Sequence, residues 1–142
     1  MTVEVRLLGP ADASVLECVA DGVFDHDVDP TLAAEFLADP RHCLCVAIVD
    51  GVVAGMASGV RYVHPDKPSE LWINEVGVAP AFHRQGLGKR IMAELLAHAR
   101  REGCREAWVL TDDDNSAARA LYRAAGGDDG SAQRMITFRL DD

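Results

Sequence analysis

Short apolar stretches alternate with glycine, proline and charged residues along the chain, and this alternation divides it into strands and helices. Stretches rich in β-branched and aliphatic residues predict strands at 3–8, 42–49, 52–62, 70–78, 107–110 and 135–140. Stretches with apolar residues at helical spacing predict helices at 11–21, 30–39, 86–102 and 116–125. The order of these elements indicates an α/β fold.

Punctuating residues support several of these boundaries. Asp29 and Asn115 are of the type that caps helix N-termini, and Asp50-Gly51 suits a tight turn between two antiparallel strands. The strand, helix and strand at 70–78, 86–102 and 107–110 form a crossover whose two strands are parallel, so we expect a mixed sheet. Ligands of such sheets bind at the carboxyl ends of the strands.

Length and composition favour one cooperative domain spanning residues 1–142. The start MTVEVRLLGP lacks the features of a signal peptide and no run of about 20 apolar residues occurs, so the cytoplasm is the expected location. The cysteines lack CxxC spacing, so we expect reduced thiols and no metal site. They are Cys18, Cys43, Cys45 and Cys104.

The chain is strongly acidic, with 14 basic and 23 acidic side chains and a formal net charge of -9. This charge repels nucleic acids and anionic membranes and attracts cations. The acids cluster at Asp25, Asp27 and Asp29, at 112–114 and at 128–129. Each cluster is either a solvated loop or part of a surface that binds a cationic partner.

A glycine-containing turn between the strand at 70–78 and the following helix predicts an anion-binding site. Its main-chain N–H groups and the helix dipole would hold a phosphate. Its pattern matches neither the Walker A loop nor the dinucleotide fingerprint. The candidate residues are His83, Arg84, Gln85, Gly86, Leu87, Gly88 and Lys89.

Two motifs give the chain a resemblance to a known family. Val76 to Lys89 reads V-x-V-x-P-x-x-[RQH]-x-x-G-x-G-K, and 115–126 reads N-x-x-A-x-x-L-Y-x-x-x-G. Together they resemble the N-acetyltransferases of the GNAT superfamily. The resemblance implies a central mixed sheet of six to seven strands flanked by about four helices, with acetyl-CoA as co-substrate and no metal. His83 stands where the family usually has Arg or Gln, so pyrophosphate binding falls mainly to main-chain N–H groups.

The same resemblance implies roles for individual residues. The strand at Val76, Gly77 and Val78 would be splayed from its neighbour and pair with the pantetheine arm, and the Val76 N–H would stabilise the thioester oxyanion. Tyr122 would protonate the departing thiolate, with Asn115 and Ala118 contacting the cofactor. The alternatives are an ordinary buried strand and a core tyrosine.

The acceptor amine must lose a proton before it attacks. Glu75 precedes the proposed oxyanion strand among apolar residues, so it is a candidate base or amine anchor, acting directly or through water, with a structural salt bridge as the alternative. Asn74 is expected on the opposite face, as a weaker candidate. Since no Ser or Cys has the context of a nucleophile, direct transfer is favoured.

The acceptor itself is suggested by further similarity to the short aminoglycoside 3-N-acetyltransferases, in FDHDVDP, HPDKPSELWINEVGV, ALYRAAGG and MITFRL. Aminoglycosides are polycations, which suits the acidic loops. The candidate contacts are Asp25, Asp27, Asp29, Asn74, Glu75, Asp112 and Asp113. Alternatives are a polyamine, a peptide or protein amine, or a non-catalytic acyl-CoA sensor. A homodimer is possible.

Overall fold

The computed structural model describes residues 2–141 of the chain. Five strands are β1 (Val3–Leu7), β2 (His42–Val49), β3 (Val52–His64), β4 (Lys67–Val78) and β5 (Glu106–Val109). The α-helices are α1 (Pro30–Ala38), α2 (Leu87–Arg101) and α3 (Ser116–Ala124), and two 3₁₀ helices span Pro10–Glu17 and Pro80–Phe82. The predicted mixed α/β class is confirmed.

The sheet has the strand order β1-β2-β3-β4-β5. The first four strands pair antiparallel, and β4 pairs parallel to β5. The β2–β3 turn is the predicted one, with φ of 49° at Asp50 and 83° at Gly51. Positive φ at both central residues is the geometry that matches the twist of a two-residue hairpin.

Helices cover both faces of the sheet. Leu44 and Val46 of β2 form a core cluster with Leu16 of the first 3₁₀ helix and Leu37 of α1. On the other face α2 packs against the first four strands through a stripe of buried residues. The packing is close at Gly55 of β3, where an added Cβ would meet the Ile91 side chain. The amphipathic pattern of the 86–102 segment therefore reflects its packing on the sheet.

The cap of α1 gives a first prediction, on stability. The Asp29 carboxylate accepts hydrogen bonds from the N–H groups of Thr31 at 2.8 Å and Leu32 at 3.1 Å. Asp29→Ala should therefore lower the free energy of unfolding by about 1 kcal/mol, measured by urea denaturation. Asp27→Ala is the matched control, because it removes the same charge and Asp27 makes no side-chain hydrogen bond within residues 2–141. Equal losses in both variants would assign the effect to charge instead.

The predicted helix at 11–21 is wrong in type and length. The segment forms a 3₁₀ helix at Pro10–Glu17, after which Cys18 and Ala20 hydrogen-bond to the main chain of Val53, both at 2.9 Å. Val19 thus forms a parallel bridge with Val53. β3 extends beyond the end of β4, so the main chain of Val53 is free to bond Cys18 and Ala20. Main-chain groups that bond to β3 cannot also make the hydrogen bonds of a helix, so the helix ends before Cys18.

The predicted strand at 135–140 is also wrong, and the described residues form a sheet of five strands rather than six or seven. The segment has no regular secondary structure and pairs with no strand within the part of the chain that the structure describes, and Met135, Ile136, Phe138 and Leu140 are 71% to 94% exposed. Its alternating pattern favours a strand, but a strand forms only where a neighbouring strand supplies hydrogen-bond partners.

The chain divides into two compact units, one ending at Leu110 and the other beginning at Thr111. The expected single domain at 1–142 stays a prediction.

None of the helices between residues 2 and 141 combines the length and apolar character that crossing a bilayer requires. The cysteines are free thiols, and burial raises the pKa of Cys43 to about 11 and that of Cys45 to about 12.

Candidate active site

The carboxyl end of β4 has an open edge. The parallel pairing of β4 with β5 ends at Ile73 and Val109, whereas β4 continues to Val78. Among residues 2–141, no strand pairs with 74–78 on that side. This geometry agrees with the expectation that β4 and β5 diverge, and it leaves main-chain groups available to a ligand.

The pairing of β4 with β3 shows which main-chain groups face this open edge. The Ala79 N–H donates to the Ala54 carbonyl at 2.9 Å, so this pair is hydrogen-bonded, and in an antiparallel ladder such pairs alternate with non-bonded ones. Val78 opposite Gly55 and Val76 opposite Ala57 are therefore non-bonded pairs. The Val76 N–H and the Val78 carbonyl point away from β3, toward the open edge.

His83 supports this assignment and has a role that the sequence did not predict. Its Nε2 lies 2.8 Å from the Val78 carbonyl oxygen, which is therefore accessible on the open side of β4. The His83 ring thus fixes the start of the glycine turn relative to the strand. The side chain that departs from the family pattern is used for main-chain anchoring here.

The glycine turn has the geometry of an anion-binding loop. Arg84 and Gly86 both have positive φ, 63° and 73°, and Gly86 occupies the N-cap of α2. Within the described residues, the N–H groups from 84 to 89 make no hydrogen bond to main-chain carbonyls. Residues 83–86 and Lys89 are exposed, whereas Gly88 is partly buried and Leu87 is buried and anchors the helix. The predicted cradle is thus intact in its backbone, with cationic side chains around it.

The acidic loop, which we define as residues 18–29, crosses β4 at Gly77. A Cβ added at Gly77 would lie 2.3 Å from the Val23 carbonyl oxygen, which is shorter than any van der Waals contact. Only glycine permits this approach, so Gly77 lets the loop reach the strand that carries Glu75 and Val76. This explains the glycine between two valines without invoking ligand contact.

Gly77→Ala should therefore destabilise the protein by about 2–3 kcal/mol, because either β4 or the acidic loop must move. Urea denaturation measures the loss. Gly9→Ala is the matched control, since a Cβ there would lie 3.6 Å from the Asp12 carboxylate, an ordinary contact. Unchanged stability of Gly77→Ala would mean that the loop is free to lift from β4.

A cavity of about 370 Å³ opens between the acidic loop, α1 and the middle of the sheet. Its carboxylates come from the loop and from β4, and its apolar side chains from the loop, the first 3₁₀ helix, α1 and β2. We call this cavity the acceptor cleft; its lining includes Phe24, Asp25, Leu32, Phe36, Leu44, Ser58, Asn74 and Glu75. A second cavity of about 530 Å³ is lined by the first 3₁₀ helix, the acidic loop and the start of α1, and it shares Phe24, Asp25 and other lining residues with the acceptor cleft.

Asp25 and Glu75 form a carboxyl pair in the acceptor cleft. Partial burial raises the pKa of Glu75, and a hydrogen bond to Asp25 and repulsion from the Asp25 charge raise it further, while His26 acts in the opposite direction. A carboxylate with a raised pKa holds a proton more tightly than an ordinary glutamate, which is the behaviour required of a base that takes a proton from an ammonium.

The expectation for Asn74 was wrong. Ser58 pairs with Glu75 and the next residue, Gly59, pairs with Ile73, so Asn74 is the extra residue of a β-bulge in β4. The bulge breaks the strict alternation of faces. Asn74 and Glu75 consequently both line the acceptor cleft, although they are adjacent in sequence.

The remaining candidates in the acidic loop differ in what they already contact. Asp27 lines both cavities and is exposed, whereas the Asp29 Oδ1 is engaged in capping α1.

Ser58 and the apolar lining of the cleft were not predicted from the sequence. Ser58 is the one polar residue within the run VVAGMASGV, and that interruption was the available signal.

The second unit contains the other predicted residues. The Asn115 side chain caps α3 by accepting a hydrogen bond from the Ala118 N–H at 3.1 Å. Tyr122 is half-buried on this helix, two turns after Asn115, and burial raises its pKa. Asp112 is exposed, and the Asp113 carboxylate lies 3.5 Å from Arg119, which neutralises part of its charge.

Comparison with known proteins places these features in a family context. The acetyltransferase (GNAT) family model matches residues 14–126. Mycothiol acetyltransferase of Thermobifida fusca is 33% identical over 127 residues, covering 84% of this chain and 38% of that protein. N-alpha-acetyltransferase RimI of Mycobacterium tuberculosis is 38% identical over 101 residues, covering 69% and 61%. The chain thus spans about a third to three fifths of the length of these relatives.

Solved structures share the fold at low sequence identity. An aminoglycoside acetyltransferase from an uncultured soil metagenomic sample, in complex with sisomicin, has a TM-score of 0.77 and 15% identity, covering 96% of this chain and 97% of that one. The aminoglycoside N-acetyltransferase AAC(6')-Iy in complex with CoA has a TM-score of 0.73 and 22% identity, covering 97% and 94%. At these identities the likeness concerns the fold alone.

Proposed function

The chain belongs to the acetyltransferase (GNAT) family, and on that premise we propose that it transfers an acetyl group from acetyl-CoA directly to a primary amine of a cationic small molecule. The observation that carries this proposal is the Asp25–Glu75 carboxyl pair, which lies in a cleft immediately beside the open edge of β4. A proton-accepting group and a free main-chain donor at adjacent positions of one strand are what aminolysis of a thioester requires.

Acetyl-CoA would be held mainly by main-chain groups. The N–H groups of the turn at 84–89 suit its pyrophosphate, with Arg84 and Lys89 adding positive charge. The pantetheine amides would pair with the open edge of β4 at Val76 and Val78, as an added strand does. From the second unit, the family motif assigns Asn115, Ala118 and Tyr122 to the same co-substrate.

The proposed reaction passes through one tetrahedral intermediate and forms no acyl-enzyme. Glu75, directly or through water, takes a proton from the bound ammonium, and the nitrogen lone pair attacks the thioester carbon. The Val76 N–H donates to the oxygen as it becomes negative. The carbon–sulfur bond then breaks while Tyr122 donates its proton to the sulfur. The second proton of the attacking nitrogen restores the Tyr122 phenol through water, and Glu75 returns its proton to solvent, leaving the neutral amide and free CoA. Burial keeps the thiols of Cys43 and Cys45 protonated, which argues against either as a nucleophile.

The acceptor class is set by charge. The Asp25–Glu75 pair, Asp27 and the net charge of -9 suit a cation, and aminoglycosides modified at 3-N are the class that the sequence resemblance implies. The AAC(6')-Iy neighbour carries a 6' designation in its name, so both positions need testing. A cytoplasmic homodimer is part of the same proposal.

The test is thiol release from acetyl-CoA with purified protein and a panel of amines, with mass spectrometry of the products. The panel contains sisomicin, tobramycin, spermidine, short peptides and simple alkylamines. Acetylation of any primary amine, abolished in Glu75→Gln, supports the proposal. Tight binding of CoA without turnover on any amine would contradict it and favour an acyl-CoA sensor.

A further inference from the structure

The acceptor cleft has two chemically different ends. Its carboxylates lie on the acidic loop and β4, whereas seven of its fourteen lining residues are apolar, from the loop and the elements that face it. Leu16 and Leu44 are buried beneath the cleft, Phe24 and Phe36 are half-buried beside it, and Leu32 is 63% exposed at its lip. An apolar wall opposite a carboxyl pair matches a ligand with an ammonium at one end and an apolar body at the other.

We propose that the preferred acceptor is a primary amine on an apolar body, an aliphatic or aromatic amine, rather than a polyol or a polyamine. This inference rests on the proposed function and names its substrate class. It departs from the aminoglycoside expectation because hydroxyl groups buried against Leu32, Phe36 and Leu44 would lose their hydrogen bonds to water. A second ammonium against these side chains would lose its hydration with little return, because the Asp29 Oδ1 already accepts two main-chain hydrogen bonds and Asp27 is exposed, where an ion pair contributes little.

The neutral polar groups of the cleft are too few to replace that water. Besides the exposed His26 imidazole, the uncharged hydrogen-bonding side chains among its lining residues are Ser58 and Asn74, and both lie beside Glu75 on the sheet. They suit one amine nitrogen, which has up to three protons to donate. The α1 side of the cleft offers side chains of Leu32, Ala33 and Phe36, which suit hydrocarbon.

The experiment compares n-pentylamine with putrescine, because the two have nearly the same length and differ in a terminal methyl or ammonium group. The kcat/KM for n-pentylamine should exceed that for putrescine by about tenfold or more, and 4-phenylbutylamine should be better than tobramycin by at least as much. Equal or higher kcat/KM for putrescine or tobramycin would overturn the inference while leaving the proposed acetyl transfer intact. Turnover of no amine would overturn both.

A substitution of Leu32, at the lip of the cleft, tests whether the preference for apolar amines arises in this cleft. Leu32→Ser should lower kcat/KM for n-pentylamine about fivefold more than that for putrescine, since the terminal methyl group that distinguishes n-pentylamine loses apolar contact. Leu32 is largely exposed, so the fold should tolerate serine. Val63→Ser is the matched control, because Val63 is 73% exposed on β3 and does not line the cleft. Unchanged selectivity in Leu32→Ser would contradict the assignment of the preference to this cleft.

Discussion

Replacement of Tyr122 by phenylalanine is expected to lower kcat for acetyl transfer by about 100-fold or more, the usual contribution of a positioned general acid. The phenol is half-buried, and burial raises its pKa, so it keeps its proton throughout the neutral range. An expelled thiolate would then have to take its proton from water. Steady-state kinetics with saturating acetyl-CoA and amine measure the effect.

The control for this prediction is the other tyrosine of the chain. Tyr62 hydrogen-bonds the Glu70 carboxylate at 2.8 Å and is also half-buried, so Tyr62→Phe removes a comparable hydroxyl from β3. It should leave kcat unchanged. The dissociation constant of CoA, measured by calorimetry, should rise by no more than about tenfold in Tyr122→Phe, because a single hydrogen bond to the sulfur is lost. A kcat within threefold of the wild type would exclude Tyr122 as the general acid.

Local signals in the sequence were sufficient for much of the fold. The Asp50-Gly51 turn and the Asp29 cap depend on residues within three positions of each other, so short-range chemistry determines them. The same holds for the turn at 83–89, in which Gly86 is the N-cap of α2 and Gly88 lies in its first turn. Resemblance added what periodicity could not, namely the chemical identity of the anion and the role of Val76.

Features that depend on contacts between distant segments were not predictable. The bulge that turns Asn74 into the cleft arises from the register of β4 on β3, and the short first helix arises from Val19 bridging Val53. The proximity of Asp25 to Glu75 depends on Gly77 admitting the acidic loop. Each involves segments tens of residues apart, and none leaves a periodic pattern in the sequence.

The site therefore depends on the loop as much as on the strand. Val76 and Glu75 are adjacent on β4, so their main chain and side chain are positioned by the same ladder with β3. Asp25 reaches Glu75 because the loop approaches Gly77 closely, and its charge adds to the effect of burial in raising the Glu75 pKa. Variation in the loop can change the acceptor while the strand retains the chemistry.

Glu75→Gln is expected to have opposite effects on catalysis and stability. Without a carboxylate to take the proton from the ammonium, kcat/KM at neutral pH should fall by about 100-fold. Glutamate must be ionised to act, and its pKa is raised, so wild-type kcat/KM should rise with pH through a range above the ordinary titration of glutamate. That rise should disappear in Glu75→Gln. In Asp25→Asn it should move to lower pH without reaching the ordinary glutamate range, because the Asp25 charge is gone while burial, the largest cause of the raised Glu75 pKa, remains.

The stability effect follows from the same shift in pKa. A carboxyl whose pKa is higher in the folded than in the unfolded protein binds its proton more tightly when folded, so folding loses stability as pH rises from the unfolded to the folded pKa. At a pH above that range the ionised Glu75 therefore destabilises the wild type. Glu75→Gln should raise the free energy of unfolding there, but not well below the ordinary pKa of glutamate, where Glu75 is protonated in both the folded and the unfolded protein. If the variant is instead less stable than the wild type at that pH, Glu75 holds a stabilising ion pair, which is the structural alternative to its catalytic role.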